Sequence, residues 1–164
     1  MKRANKKRVG IAAALAMALV VAAPLASAAE LTRDEYVAKV EPICKTNTTA
    51  NARIFKGAKN EVKNGELAQA ATRFERAVTA FEKTIKQIKA VPQPATDAAK
   101  LAKWIGYLET EKSYLAKIGQ ALAGGDKYKA QTLSVRLNRN SNLANNTVLS
   151  FGFNYCRIDP SRFS

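Results

Sequence analysis

The chain has 164 residues, with 27 Lys+Arg against 13 Asp+Glu, two Cys, no His and 47% hydrophobic residues. That length fits one domain. The lack of His removes a His-based triad, an imidazole base and His metal ligands, and two Cys are too few for a four-Cys zinc or iron–sulfur site.

Residues 1–28 have the three parts of a secretory leader. Five positive charges fall within Met1–Arg8, an apolar run follows from Ile11 to Ala23, and Ala26-Ser27-Ala28 offers a small-x-small cleavage site. The apolar run is shorter than the ~20 residues of a membrane-spanning helix. Cleavage is predicted between Ala28 and Ala29, giving a signal peptide at 1–28 and one domain at 29–164. The five basic residues of the leader leave with it. The remaining 136 residues carry 22 Lys+Arg against 13 Asp+Glu, a net charge of +9, and are expected outside the cytoplasm.

Apolar spacing then predicts four amphipathic helices. The first begins at Thr32-Arg33-Asp34-Glu35, which has capping-box spacing, and carries Tyr36, Val37, Val40, Ile43 and Cys44 on one face. Pro42 should kink it. The stretch 46–51 is weakly helical, and the pattern resumes at Ile54, Phe55, Ala58 and Val62 before Asn64-Gly65 stops it. The second helix has the cleanest stripe: Leu67, Ala71, Phe74, Val78, Phe81, Ile85 and Ile88, spaced alternately by four and three. Pro92 and Pro94 end it. The third starts at Thr96, read as its N-cap, with Asp97 favouring the dipole. Its stripe is Leu101, Trp104, Leu108, Glu111, Leu115, Ile118 and Leu122, and Gly124-Gly125 closes it. Asp126 caps the fourth helix, whose stripe is Ala130, Leu133, Leu137, Asn140, Ala144, Thr147 and Phe151. Five Asn between 138 and 146 point to a local break there.

Short connections force antiparallel neighbours. The expected fold is all-α, an up-down-up-down four-helix bundle clamped by one disulfide. Cys44 and Cys156 are the only cysteines and, in an exported chain, should pair. The topology brings both to one end of the bundle. Phe151-Gly152-Phe153 with Tyr155 reads as core packing beside that bridge.

Tyr36-x-x-x-Val40-x-x-Ile43-Cys44, the Pro92–Pro94 linker, Gly125-Asp126 and the closing Phe151-Gly152-Phe153-x-x-Cys156 together resemble a group of uncharacterised small secreted or lipoprotein-like helical proteins of actinobacteria. The resemblance implies a disulfide-linked helical bundle and no assigned activity. Some such proteins carry a lipobox cysteine, which this chain lacks.

Two sets of residues are candidates for function. Glu111 and Asn140 each occupy a core-stripe position, and at 1.5 Å per residue they fall in one middle layer of adjacent helices, with Arg53 and Gly57 at a similar height. Three readings follow. The layer is a polar pocket for a small polar ligand or cation. Alternatively, Glu111 is turned to the boundary and pairs with Arg53 or another cation. Or the layer is a buried polar contact that sets helix register. The second set is Lys56, Lys59 and Lys63 on one face of the first helix, a surface suited to an anionic envelope polymer or lipid headgroups. No nucleic-acid motif is present. Carboxylates are scattered rather than paired, apart from Asp34-Glu35 at a helix start. The expectation is therefore a secreted envelope-binding or structural module, or a ligand carrier, and not an enzyme. No metal or cofactor is expected.

Overall fold

The computed structural model describes residues 30–158; the predicted leader and its cleavage point lie outside them. Five α-helices follow in order: α1 (Arg33–Ile54), α2 (Ala58–Asn64), α3 (Leu67–Lys89), α4 (Ala98–Ala123) and α5 (Lys127–Thr147), with single 3₁₀ turns at Ala95–Asp97 and Leu149–Phe151. Helices α1 and α2 together are the first predicted helix, interrupted at residues 55–57. With that counted as one, the chain is the expected four-helix bundle, and the Cys44–Cys156 disulfide is present. Among the described residues there is no strand, and no helix is long and apolar enough to cross a membrane.

Local sequence sets most of the boundaries. Thr32 and Glu35 form the capping box, each side chain taking the other residue's backbone N–H. Asp126 caps α5 by accepting from the Lys129 N–H at 2.8 Å. The start of α4 differs from the expectation. Thr96 is not its cap; it lies within the 3₁₀ turn. Asp97 stands at the N-cap but makes no capping bond. Its carboxylate instead takes two hydrogen bonds from Arg33, at 2.7 and 2.8 Å, fixing the start of α4 to the start of α1. That pair holds the Asp97 carboxyl below its ordinary range.

Helix α1 runs through Pro42 without interruption. The interruption comes at Gly57, whose φ of 92° suits a residue without a Cβ. Arg73 of α3 secures this break. It donates to the Ile54 carbonyl at 2.7 Å, an acceptor left over at a helix end, and to both oxygens of Glu61 on α2. The guanidinium holds the Glu61 carboxyl below its ordinary range.

Helix α4 is the central element and packs along both α3 and α5. Its whole predicted stripe is buried, Glu111 included. Burying a large apolar side chain contributes about 1.5–3 kcal/mol, and α4 places Leu101, Trp104, Leu108, Leu115, Ile118 and Leu122 inside. Gly119 lets α3 come close: a Cβ there would lie 3.1 Å from the Phe74 Cβ.

The predicted break near residues 138–146 does not occur; α5 is continuous to Thr147. Tertiary bonds offset the poor helix propensity of its asparagines. Asn140 donates to the Tyr107 carbonyl of α4, and Asn145 makes a two-way pair with the backbone of Ile158, both bonds at 2.8 Å.

Candidate functional site

Helix α1 packs on α3, but it is not packed along α5, as a closed four-helix bundle would require. The seam between α1–α2 and α5 is handled differently in its two halves.

In the half near the start of α1, the segment after α5 fills the seam. Phe151 and Phe153 are buried and stacked on each other, and Phe153 stacks on Trp104 with ring centres 5.4 Å apart. This is the expected core cluster, except for Tyr155, which is exposed and lies beneath Lys45. The segment is tied to α1 by the disulfide, by Thr48 donating to the Tyr155 carbonyl, and by Glu41. The Glu41 carboxylate accepts the backbone N–H groups of Asn154, Tyr155 and Cys156 at 3.0–3.3 Å.

Beneath this plug lies a cavity of about 50 Å³, lined by residues of α1, α3, α4 and the closing segment. About 10–15 Å³ of free space holds one water, so the cavity takes a molecule of a few heavy atoms. Glu111 lines it, with only 1% of its surface exposed. The carboxylate is bound by Ser141, at 3.0 and 3.1 Å, and by the Asn140 amide at 3.3 Å. Ser141 also donates to the Leu137 carbonyl. One hydroxyl has one proton. When Ser141 donates to Leu137, its oxygen is free to accept a proton from a neutral Glu111. Burial pushes Glu111 up to about 7, against the opposing pull of its Ser141 and Asn140 hydrogen bonds.

Three further polar groups on the cavity lining are enclosed without a hydrogen-bond partner among the described residues: Asn47 Oδ1, Asn51 Oδ1 and Trp104 Nε1. Asn51 is 7% exposed and Trp104 is fully buried. Unpaired buried groups of this kind cost about 1–3 kcal/mol each. Their concentration at one cavity, beside a buried carboxyl, singles it out as the candidate site. Among the described residues no cluster of three or more Cys, Asp and Glu could hold a metal ion.

Glu111 and Asn140 do meet in one layer, as their spacing predicted. Arg53 does not join them. It is exposed on α1 and is not among the groups that bind Glu111, so the boundary ion pair is overturned; the Glu111 side chain turns toward α5, not outward. Gly57 serves the helix break. Lys59 and Lys63 lie on α2 and Lys56 in the turn before it, so the three do not share one continuous helix; all are exposed. Ser141, Asn47 and Asn51 were missed. Ser141 follows Leu137 by four residues and could have been found at the edge of the stripe. The two asparagines lie in a stretch that reads only as weakly helical.

No protein-family model matches the chain, and neither a curated protein nor a solved structure matches it.

Proposed function

We propose that this chain is an exported small-ligand carrier, with its site in the Glu111 cavity and a small protonated amine as its ligand. The observation that carries this reading is the excess of acceptors among the enclosed groups there. Glu111, Asn47 and Asn51 present oxygens, whereas the Trp104 indole N–H is the one unpartnered donor among the enclosed groups. A ligand that satisfies them must bring more donors than acceptors, and an ammonium group brings three donors and no acceptor. Its positive charge also gives Glu111 a counter-ion, which lowers the cost of a charged carboxylate in the interior. The leader at 1–28 supports export, and the disulfide is compatible with an extracytoplasmic protein.

Binding an ammonium requires Glu111 in its charged form. With the carboxyl at about 7, the charged fraction, and with it the affinity, rises about thirtyfold from pH 5.5 to pH 8. Calorimetry with methylammonium at these two pH values tests the reading, with tetramethylammonium, which has no N–H donor, as control. Methylammonium should bind at pH 8, weaken at pH 5.5 and be lost in Glu111→Gln. Undiminished binding by Glu111→Gln, or no binding at pH 8, would contradict it.

A second reading is contact with an anionic envelope component, a wall polymer or lipid headgroups. It is favoured by the exposure of Lys56, Lys59 and Lys63, none of which has an ion-pair partner among the described residues.

A further inference from the structure

The 32 residues from Lys127 to Ile158 contain five Lys and Arg and no Asp or Glu, whereas the 97 residues before them, from Glu30, carry 16 against 12. The same stretch holds every large apolar side chain that is exposed among the described residues: Tyr128 at 82%, Val135 at 65%, Leu143 at 45%, Leu149 at 67% and Tyr155 at 42%. Single exposed apolar residues are ordinary when scattered over a surface. Here they are confined to the one long stretch that lacks acids.

Helix geometry groups three of them. Ala130, Leu133, Leu137 and Ala144 are buried and set the inner face of α5. At 3.6 residues per turn, Tyr128, Val135 and Leu143 lie on the outer side, in a row about 22 Å long. Arg139 falls in the same row and Arg136 at its edge, with Lys127 and Lys129 in the first turn of α5. All four are exposed, and none has an ion-pair partner among the described residues. Leu149 follows in the turn after α5, where the Lys100 ammonium of α4 donates to the Ser150 hydroxyl and adds a further cation.

A surface of this kind calls for a partner that is both anionic and apolar. A wall polymer would answer the cations and leave Tyr128 and Val135 in water. A second copy would set the basic face against itself, with no carboxylate in α5 to pair. A bilayer with anionic lipid offers headgroups to the cations and an acyl boundary to the apolar row.

We propose that the outer face of α5 lies on a bilayer containing anionic lipid, with Tyr128, Val135 and Leu143 entering the boundary between headgroups and acyl chains. Arg136, Arg139 and the two lysines of the first turn hold the lipid phosphates. Contact is from one side; no helix among the described residues is long and apolar enough to cross. The Glu111 cavity plays no part. Contact through Lys56, Lys59 and Lys63 calls only for negative charge, whereas this face also calls for acyl chains.

The test is co-sedimentation of the intact exported chain with vesicles of phosphatidylglycerol and phosphatidylcholine in equal parts, or of phosphatidylcholine alone, beside calorimetry with polyglutamate. The mixed vesicles should bind the chain and phosphatidylcholine alone should not. Each Lys or Arg at an anionic surface contributes about fivefold, so Arg136→Gln with Arg139→Gln should weaken binding about twenty-five-fold. Tyr128→Ser with Val135→Ser should weaken it at least about tenfold while leaving polyglutamate binding unchanged. Both side chains are exposed, so helix content and unfolding midpoint should stay as in the parent chain. Tyr128→Trp reports insertion: brominated lipid should quench its fluorescence, whereas the parent chain, with only the buried Trp104, should stay unquenched. Full vesicle binding by the serine variant, or equal binding to both kinds of vesicle, would overturn the proposal. Binding to polyglutamate without binding to vesicles would also overturn it and mark an acidic polypeptide as the partner. Methylammonium binding should persist in every variant, so failure here leaves the Glu111 site standing.

Discussion

The two halves of the α1–α5 seam have the same floor helices and opposite treatments. Near the start of α1 the gap is filled by the segment 148–158 and held by one disulfide, three backbone donors on Glu41, the Thr48–Tyr155 bond and the Asn145–Ile158 pair. Near the start of α5 nothing among the described residues spans it, and a cleft runs between Phe55 and Val135 above Phe74, Ile118 and Leu122, which are themselves buried. Helix α1 is not packed along α5 in either half. The closed half is therefore filled by the buried Phe151–Phe153 stack and held by long-range covalent and polar links, not by packing of one helix along the other.

Breaking the links should erase the difference between the halves, and the disulfide is the strongest of them. Closing a loop across a sequence separation of 112 stabilises by about 4–5 kcal/mol in the chain-entropy account. Replacing Cys44 and Cys156 by Ala should lower unfolding free energy by that order in urea titrations, and amide exchange in residues 151–158 should accelerate more than in α3. The second largest effect concerns Glu111. Between the ordinary carboxylate value of 4.5 and about 7, the native chain keeps a proton that the unfolded chain has lost. Stability from this group is thus full on the acid side and falls as pH rises through about 7, by about 3 kcal/mol in total. Below pH 4.5, Asp97 and Glu61, whose carboxyls are lowered by Arg33 and Arg73, act in the opposite sense. The difference between the wild-type chain and Glu111→Gln isolates the Glu111 part. The variant should gain relative stability from pH 5 to pH 8, and parallel pH profiles would contradict this.

Smaller effects sharpen the contrast. Glu41→Gln removes the charge that gathers three N–H groups and should cost about 1–2 kcal/mol, with faster exchange of the Asn154, Tyr155 and Cys156 amides as its signature. Smallest is the triple change of Lys56, Lys59 and Lys63 to Gln, on the other half. Exposed and unpaired, these should alter unfolding free energy by less than about 0.5 kcal/mol. If the basic face contacts an anionic polymer, the same variant should bind it more weakly and with a shallower salt dependence.

What could be read from the sequence follows the range of the interactions involved. Helical stripes, the Thr32 and Asp126 caps and the glycine stops are local, and the helices fall where those signals place them. The pairing of the only two cysteines and the meeting of Glu111 with Asn140 needed only element order and rise per residue. The links that shape the seam are not local. Glu41 bonds the backbone more than a hundred residues away, and nothing in its own neighbourhood distinguishes it from a solvent-facing acid. The asparagines that suggested a break in α5 are held by Tyr107 and Ile158, partners that propensity does not register. The cleft between α1–α2 and α5 is the least legible feature: Phe74 and Ile118 beneath it are buried core, as their spacing predicts, and only the exposure of Val135 on its wall marks it.

The most direct test follows the Glu111 side-chain carboxyl through pH by carbon-detected NMR, with and without methylammonium. The free chain should titrate near 7, and saturating methylammonium should move that midpoint downward while acetate leaves it in place. A midpoint at the ordinary carboxylate value of 4.5, unmoved by the amine, would contradict both the enclosed carboxyl and the ligand assigned to it.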